Sequence, residues 1–379
     1  MSIQDERVES RVDDPLLVAR GLEKYFETDT GILDKLLGNE KYVKAVDGVD
    51  LSVGHQETVG VVGESGCGKT TLGRTLAQLY RSTGGSIEFD GENVTDPSSK
   101  ELRALRKRIQ VIFQDPLSSL NPRKTVGEIL GKPLEVHDMA TGEAKRERVA
   151  ELLEEVGLQP DHANRYPHEF SGGQRQRIGI ARAISIEPDL IVADEPVSAL
   201  DVSVQAQVIN MMKRLQQKYD LSYVFIAHDL SVVKHISDHV MVMYLGKIVE
   251  EGAKEAIFND PQHPYTRSLL SSIPTVDATA DRRRHVLKGT PPSPIDPPTG
   301  CAFSSRCPEY IGSKCNDDRP TLEAVARAPG RIEPPAGVPT KADNIEPSQS
   351  HRAACHWLSR DADERRNHKA PKHPDEADK

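Results

Sequence analysis

The chain has 379 residues, 37 % of them hydrophobic and 4 % aromatic, with a formal charge of −9. The length allows two domains with tails, and no apolar run is long enough to span a bilayer. Acidic residues are spread along the chain, which weighs against a nucleic-acid-binding surface, because such a surface shows as a basic patch.

Residues 1–14, MSIQDERVESRVDD, read as a polar, flexible lead-in. No apolar segment stands behind their charges, so they do not read as a secretory signal. The expected compartment is a cytosol that keeps thiols reduced. From residue 15 to about 258, strand-like and helix-like segments alternate, which predicts an α/β domain on a largely parallel sheet. "ETVGVVG" (57–63) is a short apolar run ending in glycine, while "DLIVADE" (189–195) and "LSYVFIAHD" (221–229) end in acids or histidine. Such runs suit strands buried on both faces, and ligands of such sheets bind at the carboxyl ends, where these polar residues fall. Val204, Val208, Met212 and Leu215 recur at helical spacing and predict a helix that packs this stripe into the core.

Residues 99–170 are rich in Arg, Glu and Leu, with "KELRALRKRI" and "KRERVAELLEEVGL" as helical stretches, and predict an inserted helical subdomain. From residue 259 the composition changes, and a C-terminal extension is expected to run to 357. Within it "TPPSPIDPPTG" (290–300) cannot be a helix or an inner strand. Residues 328–350 are again Pro- and Ala-rich. Residues 358–379 mix both charges without an aromatic residue and read as a disordered tail.

"GESGCGKTT" (63–71) fits G-x-x-x-x-G-K-[ST] directly after a predicted strand, the context that motif needs. Gly63, Gly66 and Gly68 let the backbone turn tightly and aim N–H groups at phosphate oxygens, and the following helix presents its positive end to the same anion. Lys69 can reach the β- and γ-phosphates, and the Thr70 hydroxyl can ligate Mg²⁺. Glu64, Ser65, Cys67 and Thr71 complete the predicted nucleotide-binding stretch. Asp194 at a strand end can organise Mg²⁺ and its waters, and Glu195 can polarise an attacking water, as phosphoryl transfer requires. In "HEFSGGQRQRIGIARA" (168–183), Ser171, Gly172 and Gly173 form a second donor-rich turn before a helix. Two anion cradles are more than one nucleotide needs from one face.

In order, these motifs resemble the nucleotide-binding subunit of an ATP-binding cassette (ABC) transporter: Walker A at 63–70, the Q-loop Gln114, the signature Ser171–Gln174, Walker B at 190–195, "SALD" ending at Asp201, and the switch His228. The signature is preceded by Phe170 where the family often has Leu. The resemblance implies a P-loop (RecA-like) core and two subunits paired head to tail, each ATP lying between the P-loop of one and the signature of the other. It implies that Gln114 contacts Mg²⁺ and senses a membrane partner, and that His228 holds the γ-phosphate and Glu195. The adenine ring would stack on Phe26, with Tyr25 as the alternative. "VIFQDPLSSLNPRKTVGEIL", "QHPYTRSLL" and "PPSPIDPPTGCAFSSRCP" are similar to the oligopeptide/dipeptide-importer branch. That branch implies uptake of peptides, with a sugar or nickel as the alternative cargo. It also implies a second ATPase subunit, two separate permeases, an extracellular solute-binding protein, and a place on the cytoplasmic face of the membrane. The same cassette also powers ATPases that act on nucleic acid; the single cassette, short insert and acidic charge argue against that role here.

Three of the five cysteines fall in "CAFSSRCPEYIGSKC". The gaps separating Cys301, Cys307 and Cys315, with Cys355 further on, match neither zinc pairs nor ferredoxin runs, and spacing alone leaves inert thiols and a metal site both open. The importer resemblance implies a [4Fe–4S] cluster on these four, with zinc as the alternative.

Overall fold

The computed structural model describes residues 12–28, 41–115, 119–272, 289–325 and 351–359. Most of the lead-in, the Pro/Ala-rich stretch 328–350 and almost all of the expected disordered tail lie outside the described residues. Two compact units divide the chain: residues 1–24, 47–62 and 69–238 form the first, and residues 25–46, 63–68 and 239–379 the second.

In the first unit, β1 (Pro15–Glu27) and β2 (Tyr42–Gly54), both of which run on into the second unit, join β4 (Gly84–Phe89) and β5 (Glu92–Asn93) in a four-stranded sheet of order β2-β1-β4-β5. The parallel sheet predicted from the apolar runs is present. β3 (Thr58–Val62) pairs with β8 (Ser222–Ala227), β8 with β7 (Leu190–Asp194), and β7 with β6 (Ile109–Ile112), all parallel. Every residue of β3, β7 and β8 is buried, as strands covered on both faces must be. β6 is a difference from the sequence pattern, in which the helical stretch 100–109 runs through Ile109. The helix stops at Arg108, and "IQVI", short and β-branched, takes the outer place in this parallel set beside β7.

Helices cover this sheet closely. α1 (Lys69–Leu76) carries Gly73 because a Cβ there would lie 2.5 Å from Ile226 Cδ1 and 2.9 Å from Val192 Cγ1. α2 (Ser99–Arg108) begins with a capping box between Ser98 and Glu101, and α3 (Val126–Val136) repeats the device with Thr125 and Glu128. α3 and α4 (Gly142–Glu155) bury Leu130, Leu134, Leu152 and Leu153, and supply the helices expected of the insert. α5 (Gly172–Ile184) and α6 (Val202–Tyr219) follow, then α7 (Leu230–Ile236). Of the stripe expected on α6, Val208, Met212 and Leu215 are buried, but Val204 is only half-buried. Its Cγ1 stands 2.7 Å from where a Cβ on Gly173 would be, so the helical spacing there serves the signature turn and not the core.

The second unit is built on the hairpin β9 (His239–Tyr244) and β10 (Lys247–Ala253), turning through Leu245 and Gly246, both at positive φ. α8 (Lys254–Asn259) and α9 (Pro264–Ser271) follow it. Residues 290–300 form neither helix nor strand, as their prolines dictate, and Pro294 O accepts from Lys44 N at 3.1 Å. After α10 (Ser313–Asp317), β11 (Glu323–Ala324) pairs with β12 (Arg352–Ala353), and β12 closes on β10. The fully buried Glu250 of β10 accepts from Gln262 N at 2.7 Å and His263 N at 2.9 Å, and lies 2.9 Å from His351 Nε2. Burial pushes His263 down to about 4, so it stays neutral, and its Nδ1 accepts from Tyr265 N.

Candidate nucleotide site

The loop 63–68 owes two of its glycines to crowding. A Cβ on Gly63 would overlap Met243 O, and one on Gly68, at φ +109°, would overlap Ala45 O. Gly66, at φ +81°, has open space where its Cβ would be, and Ser65 beside it is exposed; this is the part of the loop a phosphate can approach. Cys67 points inward and is buried. Tyr25 and Phe26, the two candidates for the base, are both half-buried at the end of β1, with Lys44 Nζ 5.7 Å from the Tyr25 ring centroid. As consecutive strand residues they face opposite sides, so one seat for a base can use only one of them.

The loop runs straight into α1, whose first residue, Lys69, is buried. Thr70 Oγ1 donates to Asp194 Oδ1 at 2.8 Å, and Thr71 next to it is half-buried. Asp194 is 1 % exposed; burial raises its pKa, against the Thr70 hydrogen bond and Arg74, whose Nη2 lies 3.8 Å from Oδ2. That Oδ2 is buried without a hydrogen-bond partner among the described residues. A carboxylate oxygen left unsatisfied beside a hydroxyl is a hard-oxygen pair suited to Mg²⁺ and its waters. Arg74, one helical turn after Thr70, was not read from the sequence, although an i+4 cation on the same face was visible there.

Glu195, the residue after β7, is held at φ +47°, a strained conformation for a side chain of its size. Three segments distant in sequence meet on it. Its Oε2 accepts from Gln114 Nε2 at 3.0 Å and lies 3.2 Å from His228 Nδ1, while its N–H donates to Ile226 O at 2.9 Å. An ionised carboxylate only accepts, so Nδ1 carries the proton in this pair. The carboxylate is 13 % exposed and His228 54 %, which leaves an open side for a water or a phosphate.

The signature turn faces solvent. Ser171 Oγ accepts from Gln174 N and Ser171 N donates to Gln174 Oε1, a capping box at the start of α5. Gly172 is exposed, and a Cβ there would meet Leu200 Cδ2 at 3.9 Å, an ordinary van der Waals contact. Asp201 caps α6 without using its side chain, and the next residue, Val202, is 81 % exposed.

All four C-terminal cysteines are unpaired, and they sit close enough to feel one another's charge. Cys301 N donates to Cys315 O at 2.8 Å. Burial pushes Cys301 up to about 11 and Cys355 up to about 12, and raises Cys307 further, with the neighbouring thiols adding to each shift. No group of three or more His, Cys, Asp or Glu among the described residues is placed to hold a single metal ion. Neither an iron centre nor the zinc alternative therefore has a preformed site among the described residues.

A phosphate loop leading into a Thr–Asp pair, with a strained carboxylate oriented by an amide and an imidazole, is the equipment of a nucleoside-triphosphate hydrolase. Comparison with known proteins narrows this. Residues 46–198 match the family model described as ABC transporter, and residues 249–315 the one described as oligopeptide/dipeptide transporter, C-terminal region. The chain is 54 % identical to the oligopeptide transport ATP-binding protein AppF of Bacillus subtilis (strain 168), covering 82 % of this chain and 94 % of that protein. It is 50 % identical to the dipeptide transport ATP-binding protein DppF of Escherichia coli (strain K12), covering 83 % and 93 %. Among solved structures, the dimeric post-hydrolysis state of the ATP-binding cassette MJ0796 bound to ADP and Pi aligns with a TM-score of 0.55 and 27 % identity over 63 % of this chain and 98 % of that one. The chain belongs to the ABC transporter ATPase family, in the branch carrying the oligopeptide/dipeptide transporter C-terminal region, and its chemistry is ATP hydrolysis.

Proposed function

We propose that this subunit powers the uptake of peptides through separate membrane permeases, bound peripherally at the cytoplasmic face and working as a head-to-tail pair with a second cassette subunit. The observation that carries the reading is the level of identity to transport ATP-binding proteins for oligopeptides and dipeptides across nearly their whole length. Residues 15–258 act as the cassette, and 259–357 as the extension. The loop 63–71 and Lys69 bind the phosphates, and Phe26 stacks on the base. Thr70, Asp194 and Gln114 would hold Mg²⁺, which neutralises charge on the phosphates when bound. Glu195 orients the attacking water and draws off its proton, and His228 fixes that carboxylate. Ser171–Gln174 and Asp201 face the partner's nucleotide; their exposure and that of Val202 leave this surface open to a second subunit.

A cavity of about 500 Å³ in the first unit supports the permease contact. Phe113, next to Gln114, lines it with Arg106, Lys124, Lys132 and Val136, and Arg182 projects in from α5. Arg182 is held by Ser119 O at 2.6 Å, and burial lowers its pKa. A groove lined by apolar and polar side chains, in which four cations outnumber the single acid Glu128, fits a short cytoplasmic helix carrying carboxylates, and its wall runs directly into the Gln114–Glu195 contact. Lys124→Glu combined with Lys132→Glu is expected to abolish peptide transport in the assembled importer while ATP binding stays intact. Undiminished transport by this variant would exclude the groove as the docking site.

The four thiols suit a [4Fe–4S] cluster in donor chemistry: they are soft sulfur ligands, Cys301 and Cys315 buried and Cys307 and Cys355 half-buried. Anaerobic purification should give a brown protein with about four irons and four sulfides per chain. Free thiols without iron would refute the cluster and leave the ATPase assignment standing.

A further inference from the structure

We propose that Arg306 is a positioning residue for ATP binding, through which the cysteine segment of the extension sets the shape of the phosphate loop. Arg306 is the last residue of a single 3₁₀ turn, Ser304–Arg306, that starts three residues after Cys301 and ends against Cys307. Its side chain is 4 % exposed. Nη1 donates to Glu64 Oε2 at 2.7 Å and Nη2 to Glu64 Oε1 at 2.9 Å, a fork that fixes both position and plane of the carboxylate. Nη1 also reaches Tyr244 OH at 3.4 Å.

Glu64 is the second residue of the phosphate loop, and it is held from a second side. Its backbone N–H donates to Tyr265 OH at 2.8 Å, and its carbonyl accepts from Cys67 N at 3.3 Å. The rings of Tyr244, Tyr265 and Phe303 pack edge-on or tilted at 4.8 to 5.4 Å between centroids, and all three are fully buried. The support therefore cannot shift without disturbing that packing. A loop that must present backbone N–H groups to phosphate binds best when it is held in that shape before the ligand arrives. Clamping one residue of it through side chain and backbone lowers the ordering cost that ATP binding would otherwise bear. Because the clamp comes from the turn joining Cys301 to Cys307, a change that moves those cysteines moves Arg306.

The test uses the purified full chain with Arg306→Gln, Arg306→Lys and Glu64→Gln. ATP affinity, thermal midpoint and the rate of Cys67 alkylation, followed by peptide mapping, are measured on each. Arg306→Gln is expected to weaken ATP binding about tenfold and to speed Cys67 alkylation, the size expected for losing one charge-assisted contact. Arg306→Lys, which keeps the charge without the fork, should recover part of both. Glu64→Gln added to Arg306→Gln should weaken binding no further. Wild-type ATP affinity in Arg306→Gln, with only a lower thermal midpoint, would make the pair a structural staple and overturn the proposal. If Arg306→Gln does not fold, Arg306→Lys and Glu64→Gln decide on the same readouts, and unchanged affinity and Cys67 protection in both would overturn it.

Discussion

Glu195→Gln should slow ATP hydrolysis by about a thousandfold while ATP still binds, the scale on which a general base contributes. The amide keeps the size of the side chain and can still accept from Gln114 and His228, so the contacts at 3.0 and 3.2 Å survive in outline. It cannot take a proton from water. Phosphate release under saturating ATP measures the loss, and retained nucleotide after gel filtration shows that binding persists. If turnover stays within a few-fold of wild type, Glu195 is not the base. A parallel loss of ATP binding would mean that the carboxylate is structural.

Asp194→Asn is expected to split activity from stability. Asp194 is buried with its Oδ2 unsatisfied, and burial raises its pKa. The sign follows from linkage. A carboxyl whose folded pKa lies above its unfolded value favours the fold while protonated, and that contribution is lost as pH rises from the unfolded value through the folded one. At neutral pH the ionised side chain therefore costs stability in the ligand-free protein. Asparagine removes the charge, and its amide oxygen can still accept from Thr70. The thermal midpoint without nucleotide should rise, against a lost ion pair to Arg74 at 3.8 Å. ATPase activity should fall by about a hundredfold or more, because the site would lose the anionic oxygen proposed to organise Mg²⁺. A lower midpoint in the variant would show that the Arg74 contact outweighs desolvation.

Much of this site was legible because its chemistry sits at the ends of apolar runs. "LIVAD" and "YVFIA" announce strands, and the polar residues that follow them can only lie at the carboxyl edge. The family resemblance implied the contact of His228 with Glu195, but not that Gln114 joins it, since that depends on strand order and on the left-handed turn at Glu195. β6 was hidden because four residues give too little periodicity to stand apart from the helix before them. Val204 was misread because helical spacing marks a face without saying what covers it. The Glu64–Arg306 pair joins residues 242 positions apart, beyond the reach of any local pattern. Spacing left the thiols undecided, and the structure shows them free, with no group among the described residues placed to hold a single metal ion.

The return of the chain at β12 has a consequence for shortened forms of this protein. Arg352 and Ala353 lie antiparallel to Glu251 and Glu250 and cover the side of β10 that β9 does not occupy. A chain stopped soon after α10, near Asp317, would keep the whole nucleotide site, yet present that row of backbone donors and acceptors to solvent. It would also take His351 from the buried Glu250. Open strand edges recruit other strands, so such a fragment should accumulate as self-associated material even though every residue needed for hydrolysis is present.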